Sequence, residues 1–299
     1  MKLKVIKNLI GIIVIIIIFY FMGKTLYQSW HQVPFGTLKF NFISIIFSYG
    51  FFALAVIPGV SGWKLTMESI GGNLSFRKSM WTLGASQLAK YIPGHFWAIG
   101  GRAYLCRKEG IPEIKTTLAS IMEMGIWLIA GLIVFFISIP FWRGITLPKN
   151  IYFFLLFIPL GLMLLHPRVF TSIVNFGLKK LGRKERSVNL SYWGMLKILG
   201  IFVISWILQG FAFYFLILSI HSLSFDKTLS VIGIYSGAWA IGFLSFITPS
   251  GLGVREGVLT FLLKGFIPLP IAILIAFLAR IWTTIFDVAF ALISWRVGH

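Results

Sequence analysis

The sequence predicts an all-α polytopic membrane protein with six spanning helices and two broken helical hairpins that re-enter the bilayer, together forming an inverted-topology repeat. Three observations predict it. Hydrophobic residues make up 58% of the 299 and charged residues only 12%, a balance outside that of soluble domains. Several apolar runs reach about 20 residues, the length that crosses a bilayer core as helix. Two other apolar regions, 79–106 and 229–267, are cut by proline and glycine at Pro93-Gly94 and at Pro249–Gly253. The longest polar stretch, 167–196, is too short for a soluble catalytic module of roughly 100 residues. A single integral membrane domain over 1–299 is therefore expected.

The first span is 8–26, preceded by Lys2, Lys4 and Lys7. It resembles the basic start of a signal peptide, but no small-x-small cleavage site follows Phe21, so an uncleaved helix is expected. The second span, 42–63, ends at Trp63-Lys64, and Arg77 and Lys78 lead into the first broken region. Span three is 117–139; span four, 151–166, is short and holds Pro159. A basic loop is expected over 167–197, with seven Lys and Arg against Glu185 alone. Span five is 198–219, and after the second broken region a final span runs 271–295. Trp63, Trp97, Trp142 and Trp193 read as interfacial anchors.

Charge orients these elements. With the amino terminus in the cytoplasm and each broken region returning to its own side, cytoplasmic segments hold 17 of the 27 Lys and Arg. The outer segments hold six: Lys24, Lys39, Arg143, Lys149, Lys227 and Lys264. That asymmetry satisfies the positive-inside rule and places both termini in the cytoplasm. It also accounts for the net charge of +19 without a nucleic-acid partner. The single cysteine, Cys106, excludes an intramolecular disulfide and any multi-cysteine metal site.

Four basic residues belong to no loop: Lys90, Arg102, Arg255 and Arg280. Three acids, Glu123, Glu256 and Asp287, also lie inside apolar sequence. A charge at bilayer depth costs roughly 2.5–3.5 kcal/mol even on lenient scales, so such residues pair with one another or face a polar cavity. Pairs such as Arg102–Glu123 or Arg255–Asp287 could simply hold helices together. The breaks suggest more. Lys90-Tyr91-Ile92-Pro93-Gly94-His95 and Thr248-Pro249-Ser250-Gly251-Leu252-Gly253 each precede a half-helix bearing an arginine. Such a helix start offers unpaired N–H groups and the positive end of its dipole, a site for an anion. Gly251, Gly253 and Gly257 would let a bulky group approach the backbone. Interrupted helices in corresponding halves mark the binding site of inverted-repeat transporters. Gly233 and Gly237 form a GxxxG packing pattern. No HExxH, P-loop or GxSxG pattern occurs, and neither a catalytic set, a metal site nor a cofactor is expected.

Tyr91-Ile92-Pro93-Gly94, Trp97, Gly101-Arg102, Gly110-Ile111 and Glu123 together resemble the first signature of the lysylphosphatidylglycerol synthase transmembrane-region family. Pro249-Ser250-Gly251-Leu252-Gly253-Val254-Arg255-Glu256 resembles the second, so the likeness covers nearly the whole chain. The resemblance implies a lipid-binding or lipid-translocating domain, as in the flippase halves of multiple peptide resistance factors, which move aminoacylated phosphatidylglycerol. Those factors also carry a soluble synthase domain. The present chain ends at His299 without one, so synthase activity is not expected.

The expected function is flipping of an anionic or aminoacylated phospholipid, or a lipid-linked glycan, across the cytoplasmic membrane of a prokaryote. Lys90, Tyr91, Gly94, Arg102, Glu123, Ser250, Gly251, Gly253, Arg255, Glu256, Arg280 and Asp287 would meet the headgroup. The alternative is a non-transporting partner that presents a lipid-linked substrate to a glycosyltransferase; an enzyme acting on a lipid phosphate is the weakest reading. Expected partners are a membrane phospholipid or polyprenyl-linked lipid, with a glycosyltransferase or synthase partner and a homodimer left open.

Overall fold

A computed structural model describes residues 20, 24, 27, 40–91, 97–142, 156–180, 191–245 and 251–298. These residues are predominantly helical, with no strand among them. The α-helices are α1 (Phe42–Ser69), α2 (Phe76–Gln87), α3 (Trp97–Lys108), α4 (Glu113–Ser138) and α5 (Phe157–Leu164). They continue with α6 (Pro167–Lys180), α7 (Tyr192–Leu218), α8 (Thr228–Leu244), α9 (Val254–Leu263) and α10 (Leu269–Gly298). Three begin at polar caps, whose oxygens satisfy an otherwise orphaned N–H of the first turn. Asn41 accepts from Ser44 N–H at 3.2 Å, Ser75 from Lys78 N–H at 3.3 Å, and Ser191 from Gly194 N–H at 3.0 Å.

Five helical segments are long and apolar enough to cross a membrane: Phe42–Ser69, Glu113–Phe141, Tyr192–Leu218, Phe225–Leu244 and Leu269–Gly298. The protein is a multi-pass membrane protein. Four of the five are the expected spans 42–63, 117–139, 198–219 and 271–295, each somewhat longer than its apolar run. Of the expected span 8–26 only residues 20 and 24 are described, both helical. Of 151–166 the described part is α5, an eight-residue helix. The fifth segment, Phe225–Leu244, falls where half of a hairpin is expected.

The expected loop over 167–197 is corrected in its first half, where α6 runs from Pro167 to Lys180. Pro167 occupies the first helical position, where its fixed φ suits the helix and its missing N–H costs nothing. Val169, Phe170, Ile173 and Phe176 then recur at three- and four-residue steps. Counting charges hid this amphipathic period.

Helices α1–α4 and α7–α10 repeat one order: a long helix, two short helices about a break, then a long helix. The contacts repeat with them. α1 packs along α7; α2 lies on α10 as α8 lies on α4; α3 lies on α4 as α9 lies on α10. Exchanging the two halves maps each of these contacts onto another.

Packing between helices in a membrane gains little from the hydrophobic effect, so close approach and polar contacts carry it. Gly233 and Gly237, the GxxxG pair, bring α8 onto α4. A Cβ on Gly233 would sit 1.7 Å from Ser138 Oγ, and one on Gly237 would sit 2.3 Å from the Phe135 ring. Ser138 cannot easily yield, because it donates to Phe135 O at 2.7 Å and accepts from Trp142 Nε1 at 3.0 Å. Gly233→Ala is accordingly expected to destabilise the protein by about 1–3 kcal/mol through overpacking. Thermal unfolding in detergent, with Gly257→Ala as the control in open space, measures the difference.

Two of the four expected interfacial tryptophans are instead internal. Trp63 and Trp142 are buried, while Trp97 and Trp193 remain exposed. Each buried indole has a hydrogen-bond acceptor: Trp63 Nε1 donates to Thr82 Oγ1 at 3.1 Å, and Trp142 Nε1 to Ser138.

Candidate functional site

A cavity of about 280 Å³ opens where the two broken pairs face each other. Its walls bring together Lys90, Arg102, Glu123, Arg255, Arg280 and Asp287. These residues belong to five segments of the chain, from the turn after α2 to the middle of α10.

Arg102 lies in the second turn of α3, after Gly100 and Gly101. Its guanidinium stacks 4.4 Å above the Trp63 ring, its Nε donates to Ser86 Oγ at 3.4 Å, and its Nη1 pairs with Glu123 Oε2. Glu123 is ten residues into α4, roughly 15 Å along the helix at 1.5 Å per residue. Both side chains are buried, so each charge needs the other.

Lys90 lies in the short turn Leu88–Tyr91, and its Nζ lies 2.8 Å from Asp287 Oδ2. Gln87 donates to the other carboxylate oxygen at 3.4 Å. Asp287 thus pairs directly with Lys90, while Arg255, the partner considered from sequence, interacts with it through its charge. Arg280 and Asp287, two turns apart on α10, both reach the cavity as their spacing requires.

On the opposite side the signs are exchanged. Arg102 on α3 meets Glu123 on α4, whereas Glu256 on α9 meets Arg280 on α10 at 3.8 Å. Glu256 is 1% exposed and is not among the described cavity walls. Its Oε2 accepts from Gly253 N–H at 2.6 Å, capping the start of α9. A headgroup contact was expected of Glu256 and Gly253; both stand behind the wall, because capping turns the carboxylate toward its own backbone.

Gly251 does line the cavity, at φ +65°. Any Cβ there would come within 2.8 Å of the Gly242 backbone. Its small size therefore lets the chain pass against α8, a tighter constraint than access for a headgroup.

Arg255 stands next to this crossing, in the first turn of α9. Its guanidinium carbon lies 5.0 Å from the centre of the Tyr235 ring, and the residue is 8% exposed. Its Nη2 is buried and makes no hydrogen bond among the described residues. A buried, unsatisfied N–H on a cation is costly, and the charge of Arg255, in the cavity wall, can be neutralised by an anion that enters.

Gly94 and Ser250 fall outside the described residues, as does the side chain of Tyr91. Five polar residues that the sequence did not single out also line the cavity: Gln87, Ser205, Gln209, Tyr235 and Thr283. Being uncharged, they escape a census of charges; the glutamines within apolar runs are the one signal that could have found them. The remaining walls are aromatic and aliphatic, among them Phe52, Trp127, Trp239 and Phe286. The arrangement can hold an anion at Arg255 beside two ion pairs, with apolar surface for whatever is attached to it.

The family described as "Lysylphosphatidylglycerol synthase TM region" matches residues 8–291. No curated protein matches the chain. A match over nearly the whole length agrees with the helical membrane fold and with both broken pairs lying inside it, and the chain belongs to the lysylphosphatidylglycerol synthase TM region family.

Proposed function

We propose that the protein translocates a phospholipid, anionic or aminoacylated, or a lipid-linked glycan across the cytoplasmic membrane of a prokaryote. The headgroup passes through the cavity between the two broken pairs. One observation carries this reading: Arg102 and Arg255, each one or two turns after a break, line the same cavity, and Arg255 keeps a buried N–H that bonds to no described residue. Family membership supports a lipid-handling membrane domain.

In this reading the segments about the breaks are re-entrant hairpins, one from each side, and six helices span: 8–26, α1, α4, 151–166, α7 and α10. Both termini face the cytoplasm. The exchange of contacts between halves supports an inverted repeat, and the 17-to-6 distribution of Lys and Arg supports the orientation. Rocking of one hairpin against the other about the fixed site alternates access. The protein acts as a transporter and not as an enzyme. Glu123 and Asp287 hold Arg102 and Lys90 when no lipid is bound.

Purified protein in proteoliposomes tests the proposal. Headgroup-labelled lipid should cross the bilayer faster than in protein-free vesicles. Transfer at the protein-free rate, with a glycosyltransferase copurifying, would replace the proposal with the scaffold role.

A further inference from the structure

We infer that the cavity takes a lipid whose headgroup carries one net negative charge, a phosphodiester with otherwise uncharged substituents, in preference to aminoacylated, zwitterionic or diphosphate headgroups. This rests on the transport site proposed above and narrows its substrate.

Charge complementarity decides it. Four cations line the described walls: Lys90, Arg102, Arg255 and Arg280. Lys90 is matched by Asp287, Arg102 by Glu123, and Arg280 by Glu256 from behind the wall. Arg255 is left with a buried N–H that no described residue accepts. Three acids thus stand against four cations, and one phosphodiester monoanion in the cavity neutralises the excess charge. An aminoacyl or ethanolamine headgroup adds an ammonium, for which the cavity would need an uncommitted carboxylate. Both carboxylates in the walls are already committed. A diphosphate brings at least two negative charges to a site where the four cations exceed the three acids by one, so part of its charge would be buried unpaired.

Size and surface agree. A volume of about 280 Å³ lies at the lower end of small-molecule sites, which span roughly 300–1,000 Å³, and suits a compact headgroup better than an oligosaccharide. Phe52, Phe286 and Phe290 on one side and Trp239 and Phe243 on the other give apolar walls for the glycerol and upper acyl region of a lipid.

The test is competitive binding in nanodiscs, read by native mass spectrometry, with transfer in proteoliposomes measured in parallel. Phosphatidylglycerol, phosphatidylethanolamine, lysyl-phosphatidylglycerol and a polyprenyl diphosphate are supplied at equal mole fraction. Phosphatidylglycerol should be retained at least about tenfold over each of the others. Arg255→Gln should erase that preference. Asp287→Asn, which removes one acid from the walls, should shift it toward the diphosphate. Equal or stronger retention of lysyl-phosphatidylglycerol or of the diphosphate by the unaltered protein would overturn the inference. Glycerophosphoglycerol, the same headgroup without acyl chains, should compete at least tenfold more weakly; equal competition would overturn the lipid source. Selective retention without transfer would support the charge assignment while removing the transport reading, so the two fail separately.

Discussion

Arg255→Ala is expected to reduce lipid transfer by roughly 30- to 1,000-fold while leaving the protein folded. The magnitude follows from truncating one side of a buried, charge-assisted contact, which costs about 2–4 kcal/mol at 1.4 kcal/mol per tenfold. The reason folding should survive is that Arg255 Nη2 bonds to no described residue, so its removal leaves no described acceptor unpaired there. What is lost in the empty protein is the stacking on Tyr235, about 0.5–2 kcal/mol, together with a side-chain hydrogen bond to Tyr235 and the attraction to Glu256 and Asp287. Arg255→Lys should recover part of the activity, since it restores the charge without the planar fork. Transfer kinetics and thermal unfolding on the same preparation separate the two effects. Full transfer by Arg255→Ala would show that the phosphate is held elsewhere.

Glu123→Ala should behave in the opposite way, with stability lost first. Glu123 is the acid that faces Arg102 Nη1, and both are buried. Removing it strands a guanidinium whose other described contacts are the Trp63 ring and a long hydrogen bond to Ser86. Breaking a buried pair from one side costs about 3–5 kcal/mol. The double variant Arg102→Ala/Glu123→Ala should be more stable than Glu123→Ala alone, because no unpaired charge remains. A thermal-unfolding cycle in detergent measures this. Equal melting of Glu123→Ala and the unaltered protein would mean that water or lipid already satisfies Arg102.

These contrasting expectations come from residues that look alike in the sequence. Arg102 and Arg255 each follow a proline-containing break by one or two turns, and from sequence both suit a phosphate. Their environments differ. Arg102 is engaged by Glu123, Ser86 and Trp63, whereas Arg255, also in the cavity wall, keeps a buried N–H that bonds to no described residue. The acids diverge similarly: Asp287 faces the cavity with Lys90, while Glu256 turns back to cap α9. A capping acid three residues after Gly253 is a local pattern readable in sequence, and it competes directly with a ligand role.

The long helices were legible because spanning a bilayer demands sustained apolar composition, and four of the expected spans coincide with α1, α4, α7 and α10. Charges inside that composition were legible for the same reason: each is expensive enough to require a partner or a cavity. Amphipathic α6 was missed because its basic residues dominate a count of charges. Trp63 and Trp142 were misplaced because an indole suits an interface and a polar core pocket equally well. By itself, then, the sequence determined a multi-pass helical membrane protein, its two interrupted helix pairs and the set of charged residues that had to be accommodated. Only the tertiary structure decided which charges neutralise each other and which one is left to meet a ligand. Pairing depends on distances of a few ångströms between segments up to about 200 residues apart, such as Gln87 and Lys90 with Asp287, and no local pattern encodes such distances.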